Sequence, residues 1–364
     1  MTLPLNPVSG DIVRISGAGL GGWKIAQNDV QVVNTTSLGG LAGAVWTPRE
    51  SIRDWTSVAF SADGRKLVAA AFNDQIYTST DGGVSWIPGG PIGLWRSVAS
   101  SSDGSKLVAL GYGGQIYTSA DSGANWVPRD SDRNWQSVAS SADGSKLVAA
   151  EAFSGLIYTS ADSGASWTPR ESLRSWTAVA SSADGSKLVA TVDGGQIYTS
   201  TDSGASWVPR ELDRSWQSVT SSADGSKLVA VAFGDQIYTS IDSGETWTPR
   251  AFTRAWFSVA SSANGSRLVA AESNGQIYTS DDSGASWVAR DSNQPWFAVA
   301  SSASGSKLAA VVNGGQIYTS AAATATTPGA GGSISGAQND AITLQYVGGG
   351  MFNVLSHEGN LTIQ

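Results

Sequence analysis

A tryptophan returns along this chain at nearly constant spacing. Trp55, Trp95, Trp135, Trp176, Trp216, Trp256 and Trp296 follow one another at intervals of 40, 40, 41, 40, 40 and 40 residues. A fixed period of this length means that one small structural unit recurs and buries its apolar surface against its neighbours. The unit from Trp176 to Arg210 reads as strands throughout. WTAVASS alternates small and apolar residues, Asp184-Gly185 makes a tight turn, and KLVATV follows. Asp193-Gly194-Gly195 turns into QIYTS, and Thr201–Ala205 turns into SWVPR. Asp-Gly suits such turns because it tolerates the positive φ that tight hairpins demand. Four strands of about six residues with three turns fill the period and leave no room for a helix. We name these strands a to d.

A four-stranded unit of this period fits one blade of a β-propeller. The expected fold is therefore all-β, a seven-bladed β-propeller over residues 41–322. The last unit reaches Gly315–Ser320 and then runs into Ala321-Ala322-Ala323-Thr324 without a strand d. Val45-Trp46-Thr47-Pro48-Arg49 matches strand d and precedes the first full unit. Residues near 43–49 are therefore expected to complete the last blade and close the ring, since an open ring would leave unpaired strand edges.

Residues 1–40 and 329–364 do not carry the repeat. Gly22–Asn28, Asp340–Val347, Phe352–Ser356 and Gly359–Ile363 are short apolar alternations split by Gly, Asn and Ser. They predict one small discontinuous β-domain, joined through a linker over 321–335. A closed propeller brings its own ends together, so it can sit in a surface loop of a host domain.

Composition narrows the function. The 364 residues carry 43 Gly and 15 Trp, no Cys, and a net charge of -8. An acidic chain without a basic stripe lacks the electrostatics that track nucleic acid. Without Cys there is no disulfide framework and no thiolate metal site. The opening MTLPLNPVSGDIVRISG has no basic end followed by an apolar core, and no apolar run approaches the roughly 18 residues that span a membrane. No membrane insertion is expected. The expected setting is extracellular or on a particle or virion, with a cytoplasmic one left open.

The corner between strands c and d reads Ser-x-Asp-x-Gly-x-x-Trp in six units. Its aspartates are Asp81, Asp121, Asp162, Asp202, Asp242 and Asp282, and its tryptophans Trp86, Trp126, Trp167, Trp207, Trp247 and Trp287. This pattern resembles the Asp-box (BNR-type) propellers, which include sialidase propellers and those similar to the photosystem II assembly factor. The resemblance implies that each Asp accepts backbone N–H groups and each Trp packs between sheets, both structural roles. The terminal pieces resemble small β-domains at the ends of phage tail-fibre and bacterial surface proteins. That resemblance implies a homotrimer or attachment to a larger particle.

Catalysis needs unlike residues in unlike environments, and this chain repeats one environment. Sialidase chemistry would require an activated Tyr, but Tyr77, Tyr117, Tyr158, Tyr198, Tyr238, Tyr278 and Tyr318 all occupy the same place in strand c. The sole histidine is His357, outside the repeats, so no Ser–His–Asp set can be assembled in the propeller. One carboxylate per a–b turn does not make a calcium site. No enzyme activity, catalytic residue, metal or cofactor is expected.

The loops from strand d to the next strand a carry a second pattern. Trp-x-Pro-Arg-x-x-x-Arg-x-Trp pairs Arg49 with Arg53, Arg129 with Arg133, Arg170 with Arg174, Arg210 with Arg214 and Arg250 with Arg254. The tryptophans that follow are Trp55, Trp135, Trp176, Trp216 and Trp256. Two junctions depart from it, Gly89-Gly90-Pro91-Ile92-Gly93 and Arg290 followed by Asn293-Gln294-Pro295. With strand a innermost, these Trp are expected near the mouth of a central channel, on the face that also holds the variable b–c loops. Arg and Trp together suit a glycan or a protein ligand. The structural alternative pairs Arg with Glu50, Asp130, Glu171 and Glu211 and uses the Trp as packing. Two functions follow. The first is a glycan- or cell-surface-binding adhesion module whose equivalent sites act by avidity. The alternative is a protein-interaction scaffold or assembly factor that docks its partner through the Arg/Trp face.

Overall fold

A computed structural model describes residues 1–16, 23–34, 42–290, 293–322, 333–336, 338, 340–358 and 361–363, with backbone only for 34, 348, 357, 358 and 362. Among these residues the secondary structure is strand and turn only. The chain divides into two compact units, Gly43–Ser320 and a second made of Met1–Ala42 with Ala321–Gln364.

The larger unit is an all-β propeller. In the repeat opened by Trp176, strand a (Trp176–Ser181) pairs antiparallel with strand b (Leu188–Gly195). Strand b pairs with strand c (Ile197–Ser200), and strand c with strand d (Val208–Pro209). Strand d is shorter than the sequence suggests. Its proline has no N–H to give the ladder, which confines it to the outer edge.

The apolar faces of the sheets are buried against one another. Trp216, Val219 and Ala230 of one repeat pack with Ala178, Val189 and Ile197 of the repeat before it. Adjacent strands a meet directly: the Val98 N–H donates to Ser57 Oγ at 3.1 Å and the Val179 N–H to Ser137 Oγ at 3.1 Å. Alanines in strand b, such as Ala190, Ala230 and Ala270, are wholly buried, and their small side chains let neighbouring sheets approach.

Closure is visible in the backbone. The Ala62 N–H donates to Ser102 O, Ser102 to Ala142, Ala142 to Ala183, Ala183 to Ala223, Ala223 to Ala263, Ala263 to Ala303, and Ala303 back to Ala62. The last repeat takes its outer strand from the start of the chain, as Thr47–Pro48 pairs with Thr319 and Tyr318. Trp46 completes that corner, its ring 6.2 Å from Trp296.

The c–d corners are built around their aspartates. Asp162 accepts from Ser160 Oγ at 2.8 Å, the Ser166 N–H at 2.9 Å and Ser166 Oγ at 2.5 Å. Trp167 Nε1 donates to Gly164 O at 3.1 Å. Gly164 sits at φ 84°, and a Cβ there would stand 2.8 Å from Thr118 Cγ2 of the preceding repeat, so only glycine fits. These hydroxyl and N–H bonds hold the carboxyls of Asp81, Asp162 and Asp202 at about 2, below the ordinary 3.8, with the Ser85, Ser166 and Ser206 hydroxyls acting most strongly.

The smaller unit interleaves the two ends of the chain. Ile12–Ser16 pairs with Ala341–Gly348, which pairs with Met351–Glu358, and Val32–Asn34 runs parallel to that last strand. Trp23–Ala26 pairs with Ser333–Gly336, which also holds Thr362–Ile363. Leu3, Ile15, Ile25, Ile342, Leu344 and Phe352 form its core. Within the expected linker 321–335, the described residues at its two ends, 321 and 333–335, belong to strands. Ser333–Gly336 is a strand because Ile334 is buried in this core, Ile317–Ala321 ends as a strand, and 323–332 lie outside the described residues. The His357 side chain also lies outside them.

Two outcomes follow. Trp216→Ala leaves a large cavity between sheets and lowers stability by about 3–5 kcal/mol in urea unfolding. The low folded-state carboxyls stabilise the protein above the unfolded value near 3.8, and that stability is lost as pH falls toward 2. The urea midpoint should be flat from neutral pH to about 5, drop between about 4 and 2, and drop less in Asp202→Asn.

Candidate functional site

One face of the propeller is made by two sets of loops that pair with each other. Gly315 lies opposite Arg53, Asp74 opposite Gly93, Gly114 opposite Arg133 and Gly155 opposite Arg174. Gly195 lies opposite Arg214, Asp235 opposite Arg254 and Gly275 opposite Gln294. Each b–c hairpin is thus joined to the link that enters the next repeat. The c–d corners bond instead to the a–b turns, as the Ser163 N–H does to Ser145 O at 2.8 Å, which puts them on the opposite side.

The two arginines of each link part company. The first lies along strand c. Arg49, Arg129, Arg170, Arg210 and Arg250 each donate through Nε to a threonine Oγ1, of Thr319, Thr118, Thr159, Thr199 and Thr239, at 2.8–3.1 Å. These bonds clamp strand d to strand c. Arg170 also borders a cavity of about 360 Å3 with Lys146, Asp162 and Asp202, beside the corners and away from the b–c loops.

The second arginine lies over the strand-c tyrosine of its own repeat. Arg53 covers Tyr77 at 4.7 Å, Arg133 Tyr158 at 4.7 Å, Arg174 Tyr198 at 4.5 Å, Arg214 Tyr238 at 4.5 Å and Arg254 Tyr278 at 5.1 Å. Carboxylates hold these guanidinium groups in place: Asp130 for Arg133, Glu171 for Arg174, Glu211 and Asp235 for Arg214, Asp74 for Arg53 and Glu272 for Arg254. Burial raises the phenols of Tyr77, Tyr158, Tyr238 and Tyr278 above their ordinary 10.0.

The opening tryptophans correct an expectation. Trp55, Trp135, Trp176, Trp216 and Trp256 are 0–2% exposed, so their rings lie inside the sheets and not at the surface of a channel mouth. Strand a is inner, but its Trp turns sideways between sheets, where its ring stands edge-on to the strand-c tyrosine at 5.0–5.3 Å. The loops present several apolar side chains to solvent. Ile52, Ile92, Leu94, Leu173, Leu212 and Phe252 in the d–a links, with Phe72, Phe153 and Phe233 in the b–c hairpins, are 37–76% exposed. The sequence places Phe72, Phe153 and Phe233 in the variable b–c loops, but its repeated pattern singles out the Arg and Trp of the links, because each phenylalanine stands alone in its loop. The recurrence of Ile52, Leu173, Leu212 and Phe252 in links that carry the second arginine was the available signal.

Among the described residues no group of three or more His, Cys, Asp or Glu converges as a metal site.

This loop face sits on a known scaffold. The chain shares its fold with YCF48. A solved structure of YCF48 bound to D1 peptide superposes with a TM-score of 0.61 at 16% identity, covering 77% of this chain and 96% of that one. YCF48 from Cyanidioschyzon merolae gives 0.62 at 16%, covering 76% and 98%. No protein-family model matches the chain. No curated protein matches its sequence.

The arginine–tyrosine stack has a measurable worth. A double-mutant cycle with Arg214→Met and Tyr238→Leu should give a coupling of about 0.5–2 kcal/mol in urea unfolding.

Proposed function

We propose that this chain is a non-enzymatic protein-binding propeller that docks a segment of a partner on the face of b–c hairpins and d–a links. The observation that carries this reading is the ring of exposed apolar side chains on that face. Nine large hydrophobes recur on loops held by a rigid frame; Ile52, Leu173, Leu212 and Phe252 lie in links that carry a tethered arginine, whereas Ile92 and Leu94 lie in the link that has none. Exposed apolar clusters rimmed by polar groups mark protein contact sites, and aromatic residues with Arg are the usual anchors. The second arginines are already paired with carboxylates, so they serve as a rim and leave no bare anion site. A neighbour in fold, YCF48, has been solved bound to a D1 peptide, which supports the protein-interaction alternative over glycan adhesion. A non-enzymatic role agrees with the equivalent placement of the strand-c tyrosines in the repeats. The Ser-x-Asp-x-Gly-x-x-Trp corners are read as Asp-boxes with a scaffold role. The terminal β-unit is read as the attachment to a larger assembly.

Selection of displayed peptides on the full chain tests this reading. Enriched peptides should bind saturably, and Leu173→Glu with Phe252→Glu should weaken them at least about tenfold while the Tm stays unchanged. Failure to enrich any peptide, together with saturable binding on a glycan array, would overturn it.

A further inference from the structure

The repeats differ at one place where the difference opens a cavity. In five repeats a guanidinium lies over the strand-c tyrosine, and Tyr77, Tyr158, Tyr198, Tyr238 and Tyr278 are buried beneath it. In the repeat opened by Trp296, Gln294 takes the arginine's place and its Nε2 donates to the Tyr318 hydroxyl at 3.3 Å. In the repeat opened by Trp95, the same position is Gly93. Nothing reaches over Tyr117 from there, and Tyr117 is only half-buried.

The space left is a cavity of about 310 Å3, in the size class of small-ligand sites. Pro91, Ile92, Leu94 and Trp95 form apolar walls, Tyr117 lines it, and Gln115 and Asp132 bring polar groups to it. Among the described residues no cation lies over the Tyr117 ring, Asp132 makes no ion pair, and the Gln115 amide makes no hydrogen bond. By contrast, Gln75 and Gln236 donate to Gly90 O and Ala251 O. Arg96, next in sequence to Trp95, lies over Tyr112, a further lining residue, at 4.9 Å and over Phe297 at 5.3 Å, and not over Tyr117.

We propose that this cavity is a receptor for an arginine side chain supplied by a protein partner. It offers an aromatic ring like those on which the chain's own guanidinium groups lie, and apolar walls for the aliphatic stem; glycines stand where the other repeats carry their carboxylates, and the following link brings Asp132 instead. The place of the site stands on the repeat comparison, and its protein source rests on the protein-binding reading above.

The test is an NMR titration of the full chain, read at the Trp95 indole, with N-acetyl-arginine amide as probe. Saturable binding is expected, with N-acetyl-lysine amide weaker and the neutral N-acetyl-citrulline amide without saturation. Asp132→Asn, an exposed change that leaves the fold intact, should weaken the arginine probe about threefold, and Tyr117→Leu about fivefold. Absence of saturation, equal binding of the citrulline or lysine probe, or full affinity in Asp132→Asn would overturn the proposal. Free arginine binding where the capped form does not would assign the cavity to a small molecule and overturn the protein source.

Discussion

Everything in the larger unit depends on one constraint: no single sheet here can bury its own apolar surface. A four-stranded sheet of small and β-branched residues exposes two apolar faces, and each is satisfied only by the sheet on either side. The tryptophan of strand a makes this exacting. Its large ring lies between sheets and edge-on to a tyrosine, so every repeat needs a neighbour to complete its interior. A linear stack would end in two open faces. The closed circle of Ala and Ser backbone bonds from Ala62 to Ala303 and back leaves none.

The two sides of the propeller divide the work. On one side, serine hydroxyls and N–H groups satisfy the corner aspartates, and lysines tie repeats together, as Lys106 Nζ does with Ser163 Oγ at 3.3 Å. These contacts are nearly identical from repeat to repeat. On the other side, the b–c hairpins and d–a links share a pairing scheme but not a sequence. Arg and Tyr recur beneath, while Ile, Leu and Phe vary above. A fixed lower layer under a variable upper one is a sound basis for recognition, because the frame does not have to move when the contact residues change.

Arginine pairs in the links show how far sequence can mislead about a site. Spacing alone suggests two equivalent cations on one surface. In the structure Arg170 bonds Thr159 along strand c, while Arg174 stacks on Tyr198 with Glu171 beside it. The pairing with nearby acids, visible in the sequence for Arg133, Arg174 and Arg214, does form. For Arg53 the carboxylate is Asp74 and for Arg254 it is Glu272, each in the b strand or b–c hairpin of the same repeat.

The sequence by itself determined the all-β repeat, the strand order within it and the borrowed outer strand at Thr47–Pro48, because a fixed Trp period, turn residues and a missing strand d are local and countable. It also set apart the terminal pieces through their lack of the repeat. Only the tertiary structure decided that Trp55 and its equivalents are interior, that the second arginines lie on tyrosines, and that Gly93 opens a cavity over Tyr117. Those facts rest on which way a side chain turns between two sheets and on what its neighbour leaves empty. Neither is written in a single repeat, since both arise only when repeats are packed together.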